Sequence, residues 1–103
     1  MSLLKKPRKT LEEFKITFTK VSQKDIDSID ARIKFKLLKA IKLLEVYPFP
    51  RGDIIKKLKG AHIPIYRLRV GDFRVVYHID GRNIVVFFIV DRKDFEKRLR
   101  AFF

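Results

Sequence analysis

The stretch 66–77, YRLRVGDFRVVY, constrains the fold of this 103-residue chain more than any other part of it. Side chains along a strand alternate between two faces, so Tyr66, Leu68 and Val70 share one face and Arg67 and Arg69 the other. The alternation resumes after Gly71 and Asp72, with Phe73, Val75, Tyr77 and Ile79 on one face and Arg74, Val76 and His78 on the other. Gly71-Asp72 suits a two-residue type II′ hairpin, because glycine supplies the positive φ that the turn needs. That loop sets Val70 opposite Phe73 and Arg69 opposite Arg74. The apolar faces then coincide, and so do the arginine faces. A slip of one residue would turn the apolar set to water, which fixes the register.

The flanking sequence supplies partners for this ribbon. Phe14–Phe18 alternates apolar and polar residues, as a half-buried strand does. Residues 22–28 and 29–47 read as helix, with Ile26, Ile29, Ile33, Leu37, Ala40, Ile41 and Leu44 on one apolar stripe. Lys34, Lys36, Lys39 and Lys42 lie off the stripe and form a solvated face, and Pro48 and Pro50 end the helix. Residues 54–58 suggest a short strand before Gly60, and 84–90 a longer one after a turn centred on Gly81 and Arg82, which sets Ile79 opposite Ile84. Strict alternation puts Val85, Phe87 and Ile89 on the arginine side and Val86, Phe88 and Val90 on the helix side. A strand apolar on both faces needs cover on both. Residues 92–103 read as a short basic helix, and that helix or a partner chain supplies the second cover. The expected fold is α+β: two N-terminal helices on a twisted antiparallel sheet of about four to five strands, with a short C-terminal helix. Residues 1–13 read as a basic N-terminal arm, with Thr10 and Glu13 spaced as a capping box, and 14–103 as a single domain.

The arginine face carries an electrostatic cost, since like charges directly opposite each other destabilise a sheet. Selection for stability alone gives no reason to gather Arg67, Arg69 and Arg74. A phosphate among them gives one, because guanidinium donates paired hydrogen bonds to phosphoryl oxygens. The whole chain points the same way, with 25 Lys and Arg against 12 Asp and Glu, or +13. Such a field attracts nucleic acid or an acidic protein partner. Other chemistries are closed by composition. There is no cysteine, which excludes disulfides, thiol nucleophiles and Cys-based zinc sites, and only His62 and His78 remain as imidazoles, so no metal or other cofactor is expected. The longest apolar run, 84–90, is far short of a membrane span, and a soluble cytoplasmic protein is expected.

The 66–77 hairpin resembles the signature hairpin of the RelE/ParE toxin superfamily. Leu58-Lys59-Gly60 before it and Val85–Val90 followed by Asp91-Arg92-Lys93-Asp94-Phe95 after it are similar to that family's approach, last strand and tail. The resemblance implies a type II toxin–antitoxin toxin. Its RelE branch enters the ribosomal A site and cleaves messenger RNA there without metal, by attack of the ribose 2′-hydroxyl on the adjacent phosphate. By resemblance Arg74 and Arg69 serve the pentacoordinate phosphorane, Arg67 positions the backbone, and Arg92 serves the leaving-group side. The tyrosine position of the family's tail holds Glu96 here. Arginine is a poor base, so proton transfer falls to Glu96, Asp91, His78 or groups of the ribosome. Lys56, Lys57 and Lys59 before the hairpin, and Lys93, Lys97, Arg98 and Arg100 after it, are placed to track RNA phosphates. The implied partners are a RelB-like antitoxin, ribosomal RNA and messenger RNA, with a monomeric toxin that forms a hetero-oligomer with its antitoxin. Two alternatives stand beside the nuclease: a ParE-like inhibitor of DNA gyrase without nuclease activity, and a degenerate toxin that only binds RNA or antitoxin.

Overall fold

In the computed structural model, which describes residues 13–103, five strands form one sheet in the order β1-β5-β4-β3-β2. The strands are β1 Lys15–Phe18, β2 Ile55–Lys57, β3 Ile65–Val70, β4 Phe73–Asp80 and β5 Asn83–Asp91. Helices α1 (Lys20–Asp27) and α2 (Ala31–Lys42) lie between β1 and β2, and α3 (Phe95–Phe102) follows β5. The α+β class and the helix order agree with the sequence reading, while the Thr10–Glu13 capping box and most of the basic arm lie outside the described residues.

The central hairpin has the expected register, with Arg69 opposite Arg74 and Val70 opposite Phe73. Gly71 has φ of 58° and, among the described residues, none other than glycine has positive φ, as a type II′ turn over Gly71 and Asp72 requires. The second hairpin likewise pairs Ile79 with Ile84. One strand departs from the antiparallel expectation. β1 runs parallel to β5, from Lys15 opposite Asn83 to Phe18 opposite Val86. The sheet is therefore mixed, because α1 and α2 carry the chain from β1 on one edge to β2 on the other.

Thr19 caps α1, its Oγ1 accepting from the Ser22 amide at 3.1 Å, which satisfies one of the helix's unpaired donors. Lys39 and Lys42 in the last turn of α2 complement its dipole. The chain tightens into a 3-10 turn at Leu43–Glu45. The helices bury Ile26, Leu37, Ile41 and Leu44 against Leu68, Val75, Tyr77, Ile84, Val86 and Ile89 of the sheet. Ile33, placed on the stripe by its spacing, is 38% exposed, because the helix breaks at residues 28–30 and α2 starts in a new phase. Tyr77 is buried, stacks on Tyr66 and donates its hydroxyl to the Pro48 carbonyl at 2.8 Å. Burial pushes its pKa up.

A bulge corrects the alternation read for β5. Val76 pairs with Phe88 but Tyr77 pairs with Val86, leaving Phe87 as the extra residue. Phe87 and Phe88 consequently both contact Phe102 on the arginine side. From there the faces are exchanged: Phe88 and Val90 join Ile65 and Val76 in a second core, and Ile89 packs toward the helices. A bulge shifts side-chain phase by one residue, which strict alternation cannot anticipate. Phe95 and Leu99 of α3 cover the second core.

Beyond Phe18, the outer edge of β5 is sealed by side chains. Thr19 Oγ1 donates to the Phe87 carbonyl at 3.0 Å, and the Ile89 amide donates to Asp25 Oδ2 at 2.9 Å. Arg98 of α3 donates to both Asp25 oxygens, at 2.8 and 3.1 Å, and lies over the Phe88 ring at 4.9 Å. One carboxylate thus ties α1, β5 and α3 together. Among the described residues no helix is long and apolar enough to cross a membrane.

Candidate anion site

Arg67 and Arg69 extend from the same face of β3, and Arg74 from the facing position on β4. The Arg92 amide donates to the Asp72 carbonyl at 2.7 Å, which binds the end of β5 to the hairpin turn and brings a fourth guanidinium to the same end of the sheet. Arg74 registers the result. Its pKa is lowered, first by burial and then by repulsion from Arg67, Arg69 and Arg92, with Asp53 opposing. The arginines do form one electrostatic group.

Their donors are not equally free. Arg67 is 9% exposed and turns inward, both terminal nitrogens donating to the Asp53 carbonyl at 3.3 and 3.2 Å. Arg69 forms an ion pair with the Asp53 carboxylate. Arg74 donates from Nη1 to its own turn, to the Gly71 and Phe73 carbonyls at 3.0 Å each, and has no carboxylate partner among the described residues. The Arg92–Asp72 pair is long, 3.6 Å, and both side chains are largely exposed, so it contributes little. Arg69, Arg74 and Arg92 therefore present accessible positive charge, and Arg67 holds a loop.

Asp53 is the site residue that the sequence reading missed. It sits at the tip of a tight turn closed by the Arg51 amide on the Ile55 carbonyl at 3.0 Å, with Gly52 at φ 48°. The turn docks on β3 through the Arg69 amide, which donates to the Ile54 carbonyl at 2.8 Å. Asp53 also meets Lys56 at 3.7 Å and Arg67 at 3.6 Å. Desolvation works to raise its carboxyl, but the combined attraction of Arg69, Lys56 and Arg67 prevails and holds it below the ordinary carboxylate range. The one available signal was a lone acid three residues before Lys56 in a basic stretch.

The other predicted residues divide. Lys56 stands opposite Arg67 and shares the arginine face, whereas Lys57 stands opposite Tyr66 and belongs to the helix face. Lys59 lines a cavity beside α3. Glu96 is exposed in the first turn of α3 and pairs with none of the four arginines. Asp91 caps the turn after β5, accepting from the Lys93 amide at 3.0 Å. His78 lies four residues along β4 from Arg74, with Nδ1 2.8 Å from the Pro64 carbonyl and its ring stacked on Phe87. Glu96 and His78 do not adjoin the arginines, Asp91 stands beside Arg92 and opposite Phe73 but is used as a cap, and Arg98 is committed to Asp25. Lys93 and Lys97 are exposed. Among the described residues no cluster of His, Asp or Glu is placed to hold a metal.

Comparison with known proteins supplies a family context. A family model described as the ParE toxin of type II toxin–antitoxin systems matches residues 16–94. The structure is similar to that of the archaeal RelE–RelB complex from Pyrococcus horikoshii, at 26% identity and a TM-score of 0.67 over 78% of this chain and 96% of that one. It is also similar to the RelB–RelE antitoxin–toxin complex from Methanococcus jannaschii, at 26% identity and a TM-score of 0.63 over 79% and 95%. The DinJ–YafQ toxin–antitoxin complex of E. coli shares the fold, at 17% identity and a TM-score of 0.64 over 79% and 94%. No curated protein matches the sequence.

Proposed function

The chain belongs to the RelE/ParE superfamily of type II toxins, and from that premise we propose that it is a ribosome-dependent endoribonuclease that cuts messenger RNA in the A site. The observation that carries this reading is the group formed by Arg69, Arg74 and Arg92 around one hairpin turn, with Asp53 at its side. The reaction is transesterification. The ribose 2′-oxygen attacks the adjacent phosphorus, the bond to the 5′-oxygen breaks, and a 2′,3′-cyclic phosphate remains. Negative charge grows on the phosphorane oxygens, where fixed cations act most strongly.

In this reading Arg74, whose Nε and Nη2 have no partner among the described residues, donates to the phosphorane together with Arg69. Arg92, loosely held by Asp72, serves the leaving-group side. Arg67 positions the Asp53 turn and does not itself touch RNA. Asp53 is ion-paired with Arg69 and lies beside Arg67, so it is assigned the 2′-hydroxyl proton, as a weak base whose carboxyl those cations hold low; Glu96 and His78 lie away from the arginines, and Asp91 is used as a cap. Lys56, Lys59, Lys93 and Lys97 supply contacts to RNA phosphates. The physiological partner is a RelB-like antitoxin, consistent with the RelB-bound state of the archaeal relatives.

The test is a reconstituted translation system with RNA ends mapped. Cuts within A-site codons that disappear with Arg74→Ala are expected. The family model, named for ParE, favours a second reading as a gyrase poison. Intact RNA with trapped gyrase–DNA complexes would establish that reading instead.

A further inference from the structure

On the arginine side of the sheet, between α3 and the β2–β3 connection, lies a cavity of about 200 Å³. Leu58, Ala61, Ile65 and Leu99 form its apolar lining, and the half-exposed ring of Phe103 stands at one side. The two charged residues that line it, Lys59 and Arg100, are both cationic and exposed. Among the described residues no acidic side chain lines it. We propose that this cavity is a nucleobase subsite, which takes one base of a bound RNA strand against Phe103 and the adjoining phosphate on Lys59 and Arg100.

Three features select that occupant. The space is small for a drug-sized ligand and suits a single flat ring system. An aromatic face beside positive charge is the chemistry by which single-stranded nucleic acid is held without sequence readout. And the cavity lies on the same side of the sheet as the anion site: Ile65, which lines it, alternates onto the same face as Arg67 and Arg69. Ile65 is two residues from Arg67 and four from Arg69, or ~7 and ~14 Å along the strand. A strand whose scissile phosphate rests on Arg69 and Arg74 reaches the cavity within about two nucleotides. Glycine at position 60, with φ of 86°, bends the chain back at the rim, and a Cβ added there would meet nothing within 4 Å. An acidic or apolar side chain from a protein partner is the competing occupant.

This inference rests on the RNA reading of the arginine cluster, and one set of measurements separates the two. Full-length protein is titrated with a short 2′-O-methyl RNA, which cannot be cut, and with the same RNA made abasic one, two or three nucleotides from the cleavage position. Phe103→Ala is expected to weaken the intact RNA about tenfold. One abasic site is expected to cost as much in the native protein and nothing further in Phe103→Ala, the signature of a direct contact in a double-mutant cycle. Lys59→Ala with Arg100→Ala is expected to flatten the salt dependence by about 1.4 in log–log slope. Phe103 is 56% exposed but its ring meets Phe102 and Phe87, so a thermal melt of Phe103→Ala accompanies the titration and Phe103→Leu, which keeps apolar contact without an aromatic face, is titrated beside it. RNA binding that depends on Arg74 but ignores Phe103 and every abasic site overturns the subsite and leaves the RNA reading standing. Binding that ignores both overturns both. Displacement of a cavity-bound acidic peptide, with RNA affinity unmoved, assigns the cavity to a protein partner.

Discussion

Arg98 reaches across the open edge of β5 to grip both oxygens of Asp25, and the same carboxylate accepts the Ile89 amide. Asp25→Ala removes three hydrogen bonds from a half-buried site, leaves the Ile89 amide without its acceptor and leaves Arg98 with only the Ile89 carbonyl and the Phe88 ring. The expected loss is ~1–3 kcal/mol, read as a fall in thermal midpoint of about 4–8 °C per kcal/mol. Arg98→Ala is expected to cost less, because Asp25 keeps its bond to Ile89. Equal losses would show that the backbone contact contributes nothing.

Arg74 and Arg67 are neighbours in charge and opposites in role. Arg74→Ala is expected to keep the melting temperature and to reduce cleavage by ~10²–10³, the size of a lost transition-state donor. Arg67→Ala strips the Asp53 carbonyl of both its donors and is expected to destabilise the protein by ~1–3 kcal/mol. Thermal melts and cleavage rates on the two variants check the contrast.

Asp53→Asn separates binding from chemistry. Removing one negative charge from a cationic site is expected to tighten RNA binding, while loss of the proton acceptor slows cleavage by ~10²–10⁴. A variant that binds more weakly would show that Asp53 holds the site together and nothing more.

The depressed Asp53 carboxyl also gives a pH window. Its folded pKa lies below the ordinary 3.8, so its ion pairs add stability that is complete above that value and lost as pH falls through the lower folded one. RNA affinity is expected to rise over the same acidic interval as the carboxylate is neutralised. Titrations of affinity in the native protein and in Asp53→Asn, which should be flat there, check the sign.

Ionic strength counts the contacts. Arg69, Arg74 and Arg92 together are expected to contribute about −2 to the log–log salt slope for single-stranded RNA, beyond what the lysines and Arg100 add, and each arginine replaced by alanine should remove about 0.7. An unchanged slope in Arg92→Ala would place that side chain outside the interface.

The hairpin and its register were legible because two constraints coincide in 66–77: alternation fixes the faces, and Gly71-Asp72 fixes the loop length. The positions of Arg69 and Arg74 followed directly. Other features depend on contacts that no local pattern encodes. The phase change at Phe87 arises where β5 must serve both cores. Asp53 joins the arginines only because a Gly52 turn folds back on β3, sixteen residues before Arg69. Lys57 was grouped with Lys56 by adjacency, yet one step along a strand places them on opposite faces. Arg98 looked like one more surface cation until α3 brought it to Asp25.

The parallel pairing of β1 with β5 sets the order of events during synthesis. Lys15–Phe18 emerges first but bonds within the sheet only to residues 83–86. Until residues 83–86 are available that segment has no strand to pair with, whereas α1 and α2 can already cover Leu68, Val75 and Tyr77 of the central hairpin. Sheet closure is thus a late, long-range event of the kind that folds slowly. In this fold the first strand in the sequence waits longest for its partner.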